Sequence, residues 1–163
     1  MIAIYGPAGV GKTTLAAALA QRLDVPVRHC GVALKRAAEV AGVRAADATR
    51  DLHTLVDEET RAFARTVLPL GVVEGRYLRF VLAGLPYVRF IQLRCAGAVR
   101  ADRRSRSDQG AVASEDAADA KLIAELYAPH DPGAASEDWL QLDSTNTSSA
   151  DLVTLIQNTL QRL

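Results

Sequence analysis

The chain has no net charge, only two cysteines, and no apolar run near the roughly 18 residues that a membrane-crossing helix needs. Each absence excludes something. Nineteen basic residues balance nineteen acidic ones, so no global field draws the protein to nucleic acid or to an anionic membrane. A nucleic-acid partner is therefore not favoured, and a small-molecule partner is expected. Cys30 and Cys95 fit no metal-ligand or redox spacing and are expected as buried free thiols. The opening apolar stretch is short and runs at once into a glycine-rich loop, unlike a signal peptide. The expectation is a soluble, cytoplasmic protein with no membrane association. No internal repeat or linker-like stretch interrupts the 163 residues, so the whole chain, 1–163, reads as one domain. Nothing in the composition sets an oligomeric state.

What is present is more specific. Residues 6 to 13 read Gly6-Pro7-Ala8-Gly9-Val10-Gly11-Lys12-Thr13, the phosphate-binding pattern G-x-x-x-x-G-K-[ST]. Its glycines let successive backbone N–H groups curl around anionic oxygens with no Cβ in the way. Lys12 is placed to reach the β- and γ-phosphates of a nucleoside triphosphate, and the Thr13 hydroxyl to hold Mg²⁺. The context agrees with the motif. Met1-Ile2-Ala3-Ile4-Tyr5 is apolar and β-prone, while Leu15, Leu19 and Leu23 recur at helical spacing, so the loop delivers phosphate to a helix N-terminus. Gly6, Ala8, Gly9, Val10, Gly11, Lys12, Thr13 and Thr14 are the candidate nucleotide-binding residues.

Strand-like and helix-like segments alternate along the chain, the signature of a parallel sheet covered on both faces. Strands are expected at 1–5, 25–29, 71–74, 88–93 and 139–143, and helices at 12–23, 32–41 and 48–66. A last helix opens at Ser148, with Asp151 three residues on as a capping pair, and is expected to bury Leu152, Leu155, Ile156, Leu160 and Leu163. Order is expected to be least at 105–113 and 128–138, where Ser, Gly, Asp and Pro accumulate.

Two further groups carry chemistry. Glu74 closes a central strand at the crevice where open α/β sheets bind ligands, and is placed to hold a Mg²⁺-bound water or to act as a base. Arg100, Arg103 and Arg104 fall on one helical face that can close over phosphates. Their planar forks match phosphate oxygens, although a solvated basic face or contact with a nucleic-acid backbone would produce the same run. His29, His53 and His130 share no ligand spacing and read as surface or cap residues. Trp139 is expected to close the core's edge, and Tyr77 or Phe80 either to pack or to stack on an acceptor.

Together the phosphate loop, the short strand running into Cys30-Gly31, the helix with Lys35 and Arg36, and Val72-Val73-Glu74-Gly75-Arg76 resemble nucleoside monophosphate kinases, cytidylate kinases above all. The likeness extends to Arg100-Ala101-Asp102-Arg103-Arg104 and to Leu142-Asp143-Ser144-Thr145. It implies an α/β three-layer P-loop kinase fold with a parallel sheet of about five strands flanked by helices. It also implies acceptor-binding helices over 31–66, a lid over 98–127, and Mg²⁺-dependent transfer of the γ-phosphoryl group of ATP. Lys12, Glu74, Arg100, Arg103 and Arg104 are then the candidate catalytic residues, Thr13 and Glu74 the metal site, and Lys35, Arg36 and Arg76 the acceptor's grip. Ser144 and Thr145 would lie beside the adenine, where backbone contacts matter more than side chains.

Two departures bear on the acceptor. Where the family places an arginine four residues beyond Gly31, this chain has Lys35, and 114–127 is rich in acid and alanine with Lys121 as its one basic residue. A monophosphate acceptor brings its own anionic nucleophile and needs cationic clamps. A hydroxyl acceptor is neutral and needs a carboxylate to take its proton, for which Asp51, Asp57 and Glu74 are candidates. The breadth of the resemblance favours a nucleotide-like monophosphate acceptor. A hydroxyl on a small metabolite, an antibiotic, or a nucleoside or modified base in DNA remains the alternative, with a non-catalytic nucleotide-binding module as a third reading.

Overall fold

The computed structural model describes residues 1–67, 70–106, 112–127 and 138–162. Five parallel strands form one sheet: β1 (Ile2–Tyr5), β2 (Val27–His29), β3 (Val72–Gly75), β4 (Arg89–Arg94) and β5 (Leu140–Asp143), in the order β2-β3-β1-β4-β5. The expected five-strand α/β architecture is the observed one. β1 lies at the centre, with Ile4 opposite Glu74 on one side and Ile91 on the other. The loops leaving β1 and β3 therefore emerge side by side, and this adjacency builds the site.

Alternation along the strands sends side chains to two cores. Ile2, Ile4, Val72, Ile91 and Leu93 face α1 (Lys12–Leu23) and α7 (Ser149–Leu160), where Leu15, Leu19, Leu152 and Ile156 complete the first core. Ala3, Tyr5, Val73 and Phe90 face the other way, toward α3 (Arg50–Thr66) and the short α4 (Leu78–Val81). Helices on both faces make three layers. α2 (Cys30–Val40) follows β2 without a linker, two residues earlier than its sequence indicates. α5 (Gly97–Ser105) and α6 (Val112–Leu122) lie beyond the C-terminal ends of the strands, and a π-helical turn, Ile123–Tyr127, ends α6.

The helix ends follow local chemistry. α1 starts from Gly11 in the left-handed conformation and stops at Asp24, whose N–H reaches the Ala20 and Gln21 carbonyls ahead of Pro26. Thr49 caps α3 by accepting from the Leu52 amide, and Ser148 caps α7 by accepting from Asp151 at 3.1 Å. One expectation for α7 needs correction. Leu155 is 48% exposed and Val153 takes its place in the core. At about 100° per residue, Leu152, Val153 and Ile156 span one arc, and Leu155 falls outside it. Cys30 and Cys95 are half-buried free thiols, and burial pushes the Cys30 thiol up to about 11. Half-buried Trp139 packs at the edge of the first core, with the Arg89 guanidinium 5.9 Å above its ring. Leu68, Pro69, Leu163, His130 and the segments 107–111 and 128–137, which hold most of the stretches expected to be least ordered, lie outside the described residues. Among the described residues no helix is long and apolar enough to cross a membrane.

Leu19, on α1, is fully buried between the sheet and α7. Replacing it with Ala should cost about 2–5 kcal/mol, read as a lower urea midpoint, because the rigid sheet behind it cannot collapse into the space.

Candidate active site

Among the described residues, four of the five buried polar or charged ones, Lys12, Glu74, Arg100 and Ser144, cluster around the loop between β1 and α1. The loop is held from several directions. Gly6 has φ +148°, and a Cβ there would stand 2.2 Å from the Leu93 carbonyl oxygen, so only glycine lets the chain leave β1 against β4. At Gly9, with φ +78°, a Cβ would meet the Arg100 carbonyl at 3.1 Å, so α5 rests directly on the loop.

Arg100 and Arg103 act as struts. Arg100 Nε donates to the Ala8 carbonyl at 2.7 Å. Arg103 donates through Nη2 to the Ser144 carbonyl at 2.7 Å and through Nη1 to Ser144 Oγ at 3.2 Å. Ser144 Oγ in turn donates to the Val10 carbonyl at 2.7 Å. The loop carbonyls are thus satisfied from behind, and the first amides of α1, which have no intrahelical acceptor, remain for an anion. Sequence reading placed all three arginines, Arg100, Arg103 and Arg104, on one face, and all three reach the loop or its cover. It assigned no weight to the Ser144 side chain, which becomes legible only when β5 is seen beside β4.

Lys12 is almost fully buried, and its Nζ donates to the Pro7 carbonyl at 2.7 Å. Burial pushes its pKa down to about 8, against the opposing pull of Glu74. Thr13 Oγ1 donates to Glu74 Oε1 at 3.3 Å, and His29 Nδ1 approaches the same oxygen at 3.3 Å. The structure thus brings Thr13 and Glu74 together. A hydroxyl and a carboxylate at this separation are hard oxygen donors of the kind Mg²⁺ takes when phosphates and waters fill its other positions. Among the described residues no three His, Cys, Asp or Glu side chains form a cage of their own. His29, read from sequence as a cap, does stand at the N-cap of α2, and it also backs Glu74.

Acids of α6 face these cations, an arrangement that sequence reading missed. Arg76 donates to Asp119 Oδ1 at 2.8 Å and to Glu115 at 3.2 Å, Arg100 to Asp116 at 2.6 Å, and Arg104 to Glu115. Glu115, Asp116 and Asp119 share one face because they are three and four residues apart. That spacing was available in the sequence, but nothing there aimed the face. The Tyr77 hydroxyl also donates to Asp119 Oδ1, at 2.5 Å, and burial pushes its pKa up. Tyr77 and Phe80 both stack on Tyr127, at 5.1 and 5.4 Å between ring centres, so packing engages them. Lys35 and Arg36 lie exposed on α2 and make no hydrogen bond or ion pair among the described residues. A cleft of about 360 Å³ opens between the loop and α6, lined by Gly6, Pro7, Arg76, Gln92, Asp116 and Asp119 among others.

Asp57, one of the acids considered as a base, accepts from the Tyr127 hydroxyl at 2.6 Å, and burial raises its pKa to about 6. Folding therefore favours its protonated form, and stability is lost as pH rises from about 4 through about 6. Asp57→Asn should raise the thermal midpoint at pH 8, and the gain should vanish near pH 4. A midpoint difference independent of pH would contradict the burial.

Comparison with known proteins agrees with this geometry. A family model described as an AAA domain matches residues 2–124, well over half of the chain. No curated protein matches the sequence. Among solved structures, the chain is similar to a shikimate kinase from Acinetobacter baumannii in complex with shikimate, at TM-score 0.67 and 16% identity over 99% of this chain and 92% of that one. A gluconokinase from Sinorhizobium meliloti 1021 matches at TM-score 0.64 and 19% identity, covering 99% and 91%. An unliganded sugar kinase from Janibacter sp. HTCC2649 matches at 0.62 and 21%, covering 98% and 93%. At these identities the likeness is one of fold, that of the P-loop kinases.

Proposed function

We propose that this chain, which belongs to the AAA domain family, is an ATP-dependent kinase that phosphorylates a hydroxyl group on a small polar metabolite. The observation that carries this reading is the charge balance of the cleft beside the phosphate loop. Arg76, the cation best placed to grip an acceptor, is already neutralised by Glu115 and Asp119, and Asp116 lines the same cleft. A monophosphate acceptor would bring a dianion to a cleft whose lining cations, Arg76 and Arg79, are matched by Asp116 and Asp119, so the described lining offers no excess of the positive charge that such chemistry depends on. Lys35 and Arg36, which the resemblance to cytidylate kinases assigns to that task, lie exposed on α2. A neutral hydroxyl suits the cleft, where carboxylates can accept its hydrogen bonds. The fold-level neighbours named as a shikimate kinase, a gluconokinase and a sugar kinase are small-metabolite kinases and support the same class.

In this reading the loop amides and Lys12 hold the triphosphate, while Arg100 and Arg103 keep the loop rigid from behind. Thr13 and Glu74 would hold Mg²⁺, which supplies charge neutralisation at the β- and γ-phosphates. Glu74 is kept in place by His29 and by the strand that carries it. A second reading, a nucleoside monophosphate kinase, is favoured by the run Val72-Val73-Glu74-Gly75-Arg76, whose Arg76 does line the cleft.

Lys12→Ala should lower ATP-dependent turnover by about 10²-fold or more, as loss of a preorganised charge contact does, with the far-UV spectrum unchanged. The acceptor class is decided by product analysis with labelled ATP. Sugars, sugar acids, cyclic polyols and nucleosides are tested against CMP, dCMP and UMP. Label on a hydroxylated metabolite, with no monophosphate converted above the rate of ATP hydrolysis, is the expected result. Efficient formation of a nucleoside diphosphate would overturn it.

A further inference from the structure

We infer that Asp119 is the base that receives the acceptor's hydroxyl proton, and that Tyr77 and Arg76 position its carboxylate. This rests on the hydroxyl-kinase reading above. Asp119 projects from α6 into the cleft shared with Gly6 and Pro7, and its side chain is only 14% exposed. Its Oδ1 accepts from Tyr77 at 2.5 Å and from Arg76 at 2.8 Å. Oδ2 has no hydrogen-bond partner among the described residues. One oxygen is thus clamped, and the other remains for a substrate hydroxyl. The opposite wall of the cleft is the start of the phosphate loop, where Lys12 Nζ rests on the Pro7 carbonyl, and the charge of Asp119 acts on that ammonium. A hydroxyl bound between them would have its proton facing Asp119 and its oxygen facing the site of the γ-phosphate.

The other acids are placed differently. Glu74 Oε1 is shared by Thr13 and His29 on the metal side. Asp116 pairs with Arg100, Asp57 is bonded to Tyr127, and Asp51 is exposed on the first turn of α3. Asp116 also lines the cleft with its Oδ2 unpartnered among the described residues, but its side chain is 42% exposed and held by one donor, whereas that of Asp119 is 14% exposed and clamped by two. In the step, the acceptor oxygen bonds to the γ-phosphorus of ATP as the bond from that phosphorus to the β–γ bridging oxygen breaks. ADP departs with the electron pair, and the hydroxyl proton ends on Asp119 Oδ2. Because Asp119 lies on α6 while Tyr77 follows β3, the base is assembled only when α6 is docked on the body of the enzyme.

The test uses the full chain and the hydroxyl acceptor identified by labelling. Asp119→Asn should lower kcat for phosphoryl transfer by about 10²- to 10⁴-fold, with the KM for ATP unchanged within twofold. Sodium formate should restore turnover to Asp119→Ala in proportion to its concentration. Tyr77→Phe, which keeps the carboxylate and loses one clamp, should lower kcat several-fold, and it reads the same point should the Asn variant fail to fold. An Asn variant with near-normal kcat, an Ala variant deaf to formate, or an unaffected Tyr77→Phe enzyme would each overturn the assignment. A wild-type enzyme that phosphorylates only monophosphates would instead overturn the reading beneath it.

Discussion

The structure depends on the anchoring of one loop. Between β1 and α1 the chain must expose amide donors to an anion, which leaves its carbonyls turned back into a nearly dry interior. Unsatisfied, each would cost as much as a lost buried hydrogen bond. Arg100 on the Ala8 carbonyl, and Ser144 on the Val10 carbonyl with Arg103 behind it, meet that requirement. The arginines therefore serve as structural donors as well as charges. A segment carrying three glycines becomes rigid because its neighbours hold it, and rigidity lets electrostatic stabilisation work without reorganisation during the reaction.

The same arginines tie α6 to the rest of the fold. Arg100 bridges the loop and Asp116, Arg104 and Arg76 converge on Glu115, and Arg76 and Tyr77 share Asp119. α6 has no fully buried residue of its own, and these ion pairs hold it together with half-buried Leu122, Ile123 and Leu126 at the edge of the second core and Tyr127 stacked on Tyr77 and Phe80. Pairs of this kind are modest in energy where solvent reaches them.

Much of this was legible in the residues, and for identifiable reasons. The phosphate loop is a local pattern whose meaning lies in its own backbone, so Gly6 through Thr14 were placed without tertiary information. β1 and β3 are buried throughout, the first as a short continuous apolar run, whereas β4 and β5 show apolar residues alternating with polar ones. Glu74 was found because a strand end next to the phosphate loop is a geometric consequence of that topology. The acids of α6 were visible as composition only. Their partners are 11 to 43 residues away in the chain, and no local rule connects such positions. Lys35 was assigned by likeness of spacing, whereas the direction of its side chain depends on how α2 turns against β3, and that turn leaves it in solvent.

By itself, then, the sequence determined the phosphate loop, the alternation of strands and helices, and the cluster of arginines, because each is encoded over fewer than about a dozen residues by backbone sterics and periodicity. Only the tertiary structure decided which arginine holds the loop, which lines the cleft, and which carboxylate pairs with it. Those choices depend on distances between elements far apart in the chain. A charge has no fixed role until folding has chosen its neighbours.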